Sequence, residues 1–209
     1  MTTKNLELLI ATKNAGKIEE LKELLADLPF STFRLRSLNE FADAVEPEET
    51  GATFTDNAVL KARSYALQTK LWALADDSGL EVEALDGAPG VFSARYAGKG
   101  ATDAEKIEKL LNEMNKTQDA NRRARFVCAM AIANADGEIQ FIAEGICKGR
   151  IALAKSGANG FGYDSVFIPD GFEETFGELV GDIKQQISHR ARASEKIIQY
   201  LCGFYAASG

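Results

Sequence analysis

The sequence predicts an α/β fold with a mixed, elongated central sheet and flanking helices. Short apolar runs that suit buried strands alternate along the chain with stretches whose apolar residues recur at helical spacing. Near the middle, an Asp-Gly turn at 136–137 separates two apolar segments, which predicts an antiparallel hairpin within the sheet. At 209 residues the chain fits a single domain over 1–209, which we expect to form two lobes around a cleft that holds the active site.

The first strand and helix are predicted from the N-terminal segment. An apolar run over 6–11 predicts a buried strand. Residues 17–28 then carry isoleucine and leucines at helical spacing, and Pro29 is expected to end that helix.

A second helix and strand precede the first unusual polar sequence. Thr53-Phe54-Thr55-Asp56 resembles a capping box with Asp in the usual Glu position, so a helix is predicted from there to about residue 70. The apolar run over 71–75 predicts the next strand. Asp76-Asp77-Ser78-Gly79 follows it and is expected to form a turn.

The C-terminal half contains two further helices around the hairpin. Thr102 begins a capped helix with Ile107, Leu110, Leu111 and Met114 on one face. The hairpin strands are predicted over 125–134 and 138–147. A last helix over 188–206 is expected to bury Ile197, Ile198, Leu201 and Phe204.

Charge and cysteine content restrict the function classes. A net charge of −7 argues against broad binding to nucleic acid or to an anionic membrane, because both need a basic surface. Cys128, Cys147 and Cys202 show no metal-binding spacing and are expected to be buried and reduced. No apolar run reaches the length of a signal core or a membrane span, so we expect a cytoplasmic protein.

The segment between the first strand and the first helix is Thr12-Lys13-Asn14-Ala15-Gly16-Lys17. Backbone N–H groups at such a helix start attract phosphate, and Gly16 permits a close approach. The two lysines add positive charge, although the Walker A pattern is absent. On this pattern alone, a phosphate-binding loop and an ordinary strand–helix turn are both open.

Two acidic stretches supply candidate magnesium ligands. Glu46-Pro47-Glu48-Glu49 precedes the second helix, and Asp76-Asp77 follows the strand predicted over 71–75. Carboxylates at the end of a buried strand cost free energy unless a cation or hydrogen-bond donors meet them. Together the stretches carry enough oxygens for Mg²⁺, which offsets triphosphate charge and can activate water. The alternatives are a solvated acidic loop and a helix cap beside a surface carboxylate.

The C-terminal part carries an aromatic and a basic segment. Gly160-Phe161-Gly162-Tyr163-Asp164 combines rings that can stack on a base, flexible glycines and a carboxylate that can accept from a ring N–H. Lys184 and Ser188-His189-Arg190 add donors for a carbonyl or phosphate group. A turn with core aromatics and a structural histidine are the alternatives. In combination, the phosphate loop, the two acidic stretches, the aromatic segment and the basic residues predict a nucleoside triphosphate site.

These segments resemble the inosine triphosphate pyrophosphatase family in its bacterial form, whose members hydrolyse non-standard purine nucleoside triphosphates. The matching segments lie in family order and span nearly the whole chain. They are 11–17, 48–54, 57–58 with 61–62, 75–80, 87–91, 93–96, 160–164 and 187–190.

The resemblance implies a Mg²⁺-dependent homodimer that hydrolyses ITP, dITP and XTP to the nucleoside monophosphate and pyrophosphate. Carried over by position, Asp77 would accept the proton of the attacking water and would share Mg²⁺ with Glu48, with Glu49 and Asp76 as secondary candidates. The substrate-binding residues would be Thr12, Lys13, Asn14, Ala15, Gly16, Lys17, Ser78, Phe161, Gly162, Tyr163, Asp164, Lys184, His189 and Arg190. Lys61 and Arg95 are additional candidates.

Two other function classes are compatible with parts of the pattern. A nucleotide sensor without hydrolytic activity would need the phosphate loop and the base pocket but not the full acidic set. A magnesium-dependent phosphatase for small phosphate esters would not need the aromatic segment at 160–164. For a purine site, donors from His189 or Arg190 facing the 6-oxo group would disfavour adenine, whose amino group would be left unpaired.

Overall fold

The computed structural model describes residues 6–26, 28, 33–117 and 121–208. Within these ranges the strands are β1 Leu6–Ile10, β2 Phe33–Ser37, β3 Trp72–Val82, β4 Arg123–Ala133, β5 Ile139–Ile151 and β6 Phe167–Pro169. The helices are α1 Ala15–Leu24, α2 Phe54–Thr69, α3 Asp103–Lys116, α4 Gly181–Ile187 and α5 His189–Ser208. The short elements β2, β6 and α4 were not predicted from the sequence.

The strands form a mixed sheet in the order β2-β1-β3-β4-β5-β6. β1 pairs in parallel with β2 and β3, whereas β5 and β6 are antiparallel. The predicted hairpin joins β4 to β5, and the N–H groups of Asn134 and Gly137 donate to the carbonyls of Glu138 and Asn134, each at 2.9 Å. The predicted α/β class, with a mixed sheet and flanking helices, is confirmed.

The third strand differs from the prediction at the acidic pair. β3 does not end at residue 75 but continues to Val82, so Asp76 and Asp77 lie within a strand rather than in a turn. Their carboxylates form ion pairs with Lys17 and Lys61 respectively. Because these cations meet the buried charges, the strand can carry both carboxylates without leaving the sheet.

The first helix begins earlier than predicted. α1 starts at Ala15, and the Asn14 side chain caps it by accepting from the Lys17 N–H at 3.1 Å. The helix ends at Leu24, four residues before the predicted end. Pro29, the expected helix terminator, lies outside the described residues.

The capping boxes that start α2 and α3 are confirmed. The Thr53 side chain accepts from the Asp56 N–H, and the Asp56 carboxylate accepts from the Thr53 N–H. Thr102 and Glu105 make the equivalent pair of hydrogen bonds. Both helix starts were readable from sequence because every partner lies within three residues.

The C-terminal helix α5 confirms most of its predicted apolar face. Ile197 and Leu201 are fully buried and Ile198 packs against the same core. Phe204 was expected to be buried, but its side chain is 36% exposed, with its ring 5.1 Å from that of Trp72. The ring lies near the end of the helix, where it packs on the partly buried Trp72 at the edge of the core.

Residue contacts divide the chain into two compact units. The first comprises residues 1–77, 128–145 and 192–209, and the second comprises 78–127 and 146–191. Each unit has its own apolar core. The first is built around Leu8, Leu21, Leu74, Met130 and Ile197, and the second around Leu80, Leu110, Phe126, Phe167 and Phe176.

The cysteines and helices give two further structural facts. Cys128 and Cys147 are buried free thiols, as expected. Cys202 is exposed, because on α5 it lies about 100° around the helix from the buried Leu201. Among the described residues, no helix combines the length and the apolar character that crossing a membrane requires.

Candidate functional site

The loop at 12–17 links β1 to α1 in the first unit. Thr12 Oγ1 accepts from the Asn14 N–H at 3.2 Å, and the Asn14 side chain caps the helix. Lys13, Asn14 and Ala15 are exposed, and the Lys13 ammonium lies 3.5 Å from the carbonyl oxygen of Ala44. The Thr12 and Asn14 side chains shape the turn before the 10-residue helix α1. The first N–H groups of such a helix have no partner within it and can bind an anion.

Lys17 and Asp76 connect this loop to β3. Asp76 is 2% exposed, and its carboxylate forms an ion pair with the Lys17 ammonium. The same ammonium lies 3.5 Å from the Asp76 carbonyl oxygen, and the Cys128 thiol donates to the carboxylate at 3.3 Å. The contacts of Asp76 therefore place it as a support for Lys17.

Asp77 and Glu49 converge on one ammonium group in the same unit. The Lys61 Nζ lies 2.6 Å from Asp77 Oδ1 and 3.2 Å from Glu49 Oε1. Lys61 is buried on α2, which is unusual for a lysine unless it is paired. We define Glu49, Asn57, Lys61 and Asp77 as the acidic cluster.

Burial and charge together shift the pKa values of Asp77 and Lys61 in the acidic cluster. Burial raises the pKa of the Asp77 carboxyl, against the opposing positive charges of Lys61 and Lys17. Burial alone would lower the pKa of Lys61, but the charges of Asp77 and Asp76 outweigh it and raise that pKa. Asp77 is thus a carboxylate whose ionised form is costly, which suits a group that accepts a proton.

Asn57 was not singled out from sequence as a functional residue. It is fully buried on α2, where its Nδ2 donates to Asp77 Oδ2 at 3.3 Å and its Oδ1 accepts from the Gly51 N–H at 2.8 Å. A buried amide needs partners for both its ends, and here they are the acidic loop and β3. The available sequence signal was its place in the 57–58 segment of the family resemblance.

The donor set of the acidic cluster fits magnesium held together with phosphates. Glu49 and Asp77 already face a shared cation, the Lys61 ammonium. The described residues include no group of three or more His, Cys, Asp or Glu side chains arranged to hold a metal. Mg²⁺ usually takes one or two carboxylates, with substrate phosphates and water completing its shell, so two carboxylates suffice. Glu48, the predicted ligand, is exposed on the same loop.

In the second unit, Asp164 organises the aromatic loop at 160–164. Asp164 is 3% exposed, and its Oδ2 accepts from the Phe161 N–H at 2.8 Å and from Lys184 Nζ at 2.5 Å. Gly160 has a φ of +71°, and a Cβ at that position would collide with the Asp164 carboxylate. The Gly162 N–H donates to Asp103 Oδ2 at 2.6 Å, which ties the loop to α3.

Phe161 and Tyr163 point to different surroundings. Phe161 is half-buried, with the Lys184 ammonium 5.0 Å and the Arg190 guanidinium 5.8 Å from its ring centroid. Tyr163 is buried and its hydroxyl donates to the Ser93 carbonyl at 3.0 Å, and burial raises its pKa. Phe161 is therefore the ring of this loop that can stack on a base, and Tyr163 supports the loop.

The start of α5 brings three predicted residues into defined positions. Ser188 Oγ accepts from the Ala191 N–H at 3.1 Å and so caps the helix. Arg190 is 1% exposed, and its Nη2 donates to Ser78 Oγ at 2.8 Å. His189 is 5% exposed, with its ring stacked on that of Phe126.

The described contacts thus join the predicted residues into two sets, one in each unit. The guanidinium of Arg95, an additional candidate from sequence, lies 5.2 Å from the Phe92 ring centroid. Asp103 and Phe126 join the second set and were not identified from sequence. Their contacts join residues 59 and 63 positions apart along the chain, respectively, and no local pattern reports such pairs.

Comparison with known proteins places these features in a family. The model of the Ham1 family matches residues 8–200. A protein named dITP/XTP pyrophosphatase from Nostoc sp. is 44% identical over 96% of this chain and 97% of its own length. One of the same name from Synechococcus sp. is 49% identical over 90% of this chain and 86% of its own length.

Solved structures show the same likeness. The HAM1 protein from Coxiella burnetii has a TM-score of 0.86 and 44% identity, covering 95% of this chain and 99% of that one. The Ham1 protein from Staphylococcus aureus has a TM-score of 0.82 and 41% identity, covering 94% and 98%. The resemblance identified from sequence motifs is confirmed.

Proposed function

Because the chain belongs to the Ham1 family, we propose that it is a pyrophosphohydrolase of non-standard purine nucleoside triphosphates, acting on dITP, XTP and ITP. The products are the nucleoside monophosphate and pyrophosphate, and the reaction removes these nucleotides from the pool. The relatives named dITP/XTP pyrophosphatase support the substrate class. The observation that carries the proposal is the buried Asp77 carboxylate, whose pKa is raised and whose two oxygens are held by Lys61 and Asn57.

The proposed chemistry starts from Asp77. A carboxylate whose charge is penalised by burial gains from accepting a proton, so Asp77 orients and deprotonates the water that attacks the α-phosphorus. Lys61 holds the carboxylate in place and balances its charge before the reaction. The new bond forms between the water oxygen and the α-phosphorus, and the bond to the bridging oxygen breaks, so that pyrophosphate leaves.

The magnesium dependence of the reaction is part of the proposal. Asp77 and Glu48 would hold Mg²⁺, with Glu49 and Asp76 as secondary candidates. Bound Mg²⁺ would offset the charge of the triphosphate and of the leaving pyrophosphate. The convergence of Glu49 and Asp77 on the Lys61 ammonium supports a site for a cation here.

The phosphates and the base are assigned to different segments. Thr12 to Lys17 hold the phosphates through the start of α1 and the charge of Lys13. Phe161 stacks on the base, and Lys184, His189 and Arg190 provide donors around it. A purine with a 6-oxo group accepts from these donors, whereas adenine presents an amino group and leaves them unpaired.

The proposal includes the setting of the enzyme. The family resemblance implies a homodimer, and a nucleotide substrate drawn from the cell's pool implies the cytoplasm.

One assay tests the reaction. The protein is incubated with ITP, XTP, GTP or ATP and Mg²⁺, and the phosphorus products are identified. We expect pyrophosphate from ITP and XTP, a kcat/KM for ATP far below that for ITP, and loss of turnover after chelation with EDTA. Release of orthophosphate would indicate a phosphatase, and tight binding without product would indicate a sensor.

A further inference from the structure

His189 is held by an aromatic ring that the sequence motifs do not include. The centroid of its imidazole lies 4.7 Å from that of Phe126, with 11° between the two planes. Both side chains are almost fully buried, at 5% and 6% exposure. The two rings are thus stacked face to face inside the second unit, at the start of α5.

Phe126 is itself fixed by its neighbours. On β4, the exposed Arg123 and Arg125 alternate with buried residues, which turns Phe126 into the core. Its ring lies 4.5 Å from that of Phe167 and 6.5 Å from that of Phe176, and these two rings are 5.6 Å apart. Tilted and offset ring pairs at such distances are favourable and close-packed. The three phenylalanines therefore form a rigid platform under His189.

Stacking on the platform restricts the rotation of the His189 imidazole about its bond to Cβ. The torsion between the imidazole and its Cβ has broad minima, so a histidine without a neighbouring plane can rotate its nitrogens away from a ligand. Stacking on Phe126 restricts the imidazole to one plane. The Phe126 ring thereby limits the directions in which the imidazole nitrogens can form hydrogen bonds.

We infer that Phe126 is a positioning residue for purine selectivity, acting through His189. The inference rests on the proposed function, since it concerns how the enzyme distinguishes a 6-oxo from a 6-amino purine. Hydrogen bonds weaken steeply when they are misaligned. A donor held in one plane therefore binds a correctly placed 6-oxo oxygen more strongly than a donor that rotates. A freely rotating imidazole could adapt to either group, and discrimination would fall.

The variant Phe126→Leu tests this by keeping an apolar side chain and removing the flat ring. His189 is the only histidine in the chain, so its imidazole resonances are assigned without ambiguity by NMR. Protons that lie over an aromatic face are shielded. In Phe126→Leu we expect these protons to move downfield, and we expect the ratio of kcat/KM for ITP to that for ATP to fall by about tenfold.

Phe33→Leu is the matched control. Phe33 is a buried phenylalanine on β2 in the first unit, so the same substitution removes a core ring without touching the platform. We expect both its imidazole resonances and its ITP to ATP ratio to match those of the wild type. A fall in the ratio that is equal in the two variants would mark a general effect of core loss and overturn the inference.

The results distinguish a failure of this inference from a failure of the proposed function. If the wild type discriminates and Phe126→Leu discriminates equally, this inference fails and the proposed function stands. The same holds if the imidazole resonances of Phe126→Leu do not move. If the wild type releases pyrophosphate from ITP and ATP equally, the proposed selectivity and this inference fail together.

Discussion

At the scale of single residues, Asp77 shows how folding prepares a group for chemistry. Its carboxylate is buried in β3 and its two oxygens receive hydrogen bonds from Lys61 and Asn57. Asparagine has nearly the same shape, but its amide cannot accept the proton of water. We expect Asp77→Asn to lower kcat by about 10³-fold, within the range found for general bases, when pyrophosphate release is measured.

The control for this variant is Asp170→Asn. It makes the same chemical change at an exposed carboxylate that pairs with Arg123 at 2.8 Å, and it is expected to keep wild-type turnover. Circular dichroism should show that both variants are folded. Turnover by Asp77→Asn within a few-fold of the wild type would refute its role as proton acceptor.

The raised pKa of Asp77 also predicts how the rate depends on pH. Below its pKa the carboxyl is protonated and cannot accept a proton, so kcat/KM should fall as the pH is lowered through that value. Because burial raises this pKa, the fall should be centred above the ordinary aspartate value of 3.8. The measurement is kcat/KM for ITP against pH, at a Mg²⁺ concentration that saturates the nucleotide but not the free enzyme, because Mg²⁺ bound to Asp77 would lower its pKa. A profile that is flat down to pH 4 would contradict the prediction.

Asn57 gives a further prediction at this scale, because its amide joins the Gly51 N–H to the Asp77 carboxylate. Asn57→Ala should lower kcat by about 10-fold or more, since it removes one of the two hydrogen bonds that hold the Asp77 carboxylate and the one that the part-buried Gly51 N–H donates to Asn57. Gln68→Ala is the control. Gln68 lies on the same helix, and its Oε1 accepts from the Val45 N–H while its Nε2 donates to the Val45 carbonyl. Equal losses of kcat in the two variants would indicate that a loosening of the segment before α2, and not the lost bond to Asp77, lowers the rate.

At the scale of elements, the aromatic loop depends on one glycine. Gly160 adopts a φ of +71°, and an added Cβ would meet the Asp164 carboxylate that holds Phe161 and Lys184. Gly160→Ala should therefore raise the KM for ITP by about 10-fold and cost about 1–2 kcal/mol of stability from the left-handed backbone.

Gly171→Ala separates these two effects. Gly171 also has a positive φ, of +90°, but nothing lies within 4 Å of an added Cβ. This variant should lose a similar amount of stability in a thermal melt and keep the wild-type KM. If the KM rises equally in both, backbone strain alone explains the effect and the Asp164 contact does not.

The elements also show which features a sequence can report. The capping boxes at Thr53 and Thr102 and the turn at Gly137 were predicted because all their partners are local. The end of β3 was placed wrongly, because two adjacent aspartates resemble a turn. Lys17 lies 59 residues from Asp76 and Lys61 lies 16 residues from Asp77, so a local sequence pattern cannot show these ion pairs.

At the scale of the whole molecule, motif order predicted the family and the site residues, but not what holds them. The motif glycines, acids and bases lie close together within short segments of the sequence. Phe126 reaches His189 only through the pairing of distant elements. The supporting residues are apolar or amide side chains of ordinary composition. Their roles follow from packing, which needs the folded chain.

Ligand linkage gives a prediction for the molecule as a whole. A ligand that binds only the folded state stabilises it by about 2.7 kcal/mol at 100 times its dissociation constant. For a chain of this size, that corresponds to a rise in the melting temperature of about 5–10 °C. We expect IMP with pyrophosphate and Mg²⁺ to produce such a rise in a calorimetric scan, and AMP with the same additions to produce much less. The Asp77→Asn variant should lose the part of the rise that depends on Mg²⁺, since it lacks the carboxylate proposed to hold the ion. Equal rises with IMP and AMP would show that the folded protein does not distinguish the two bases.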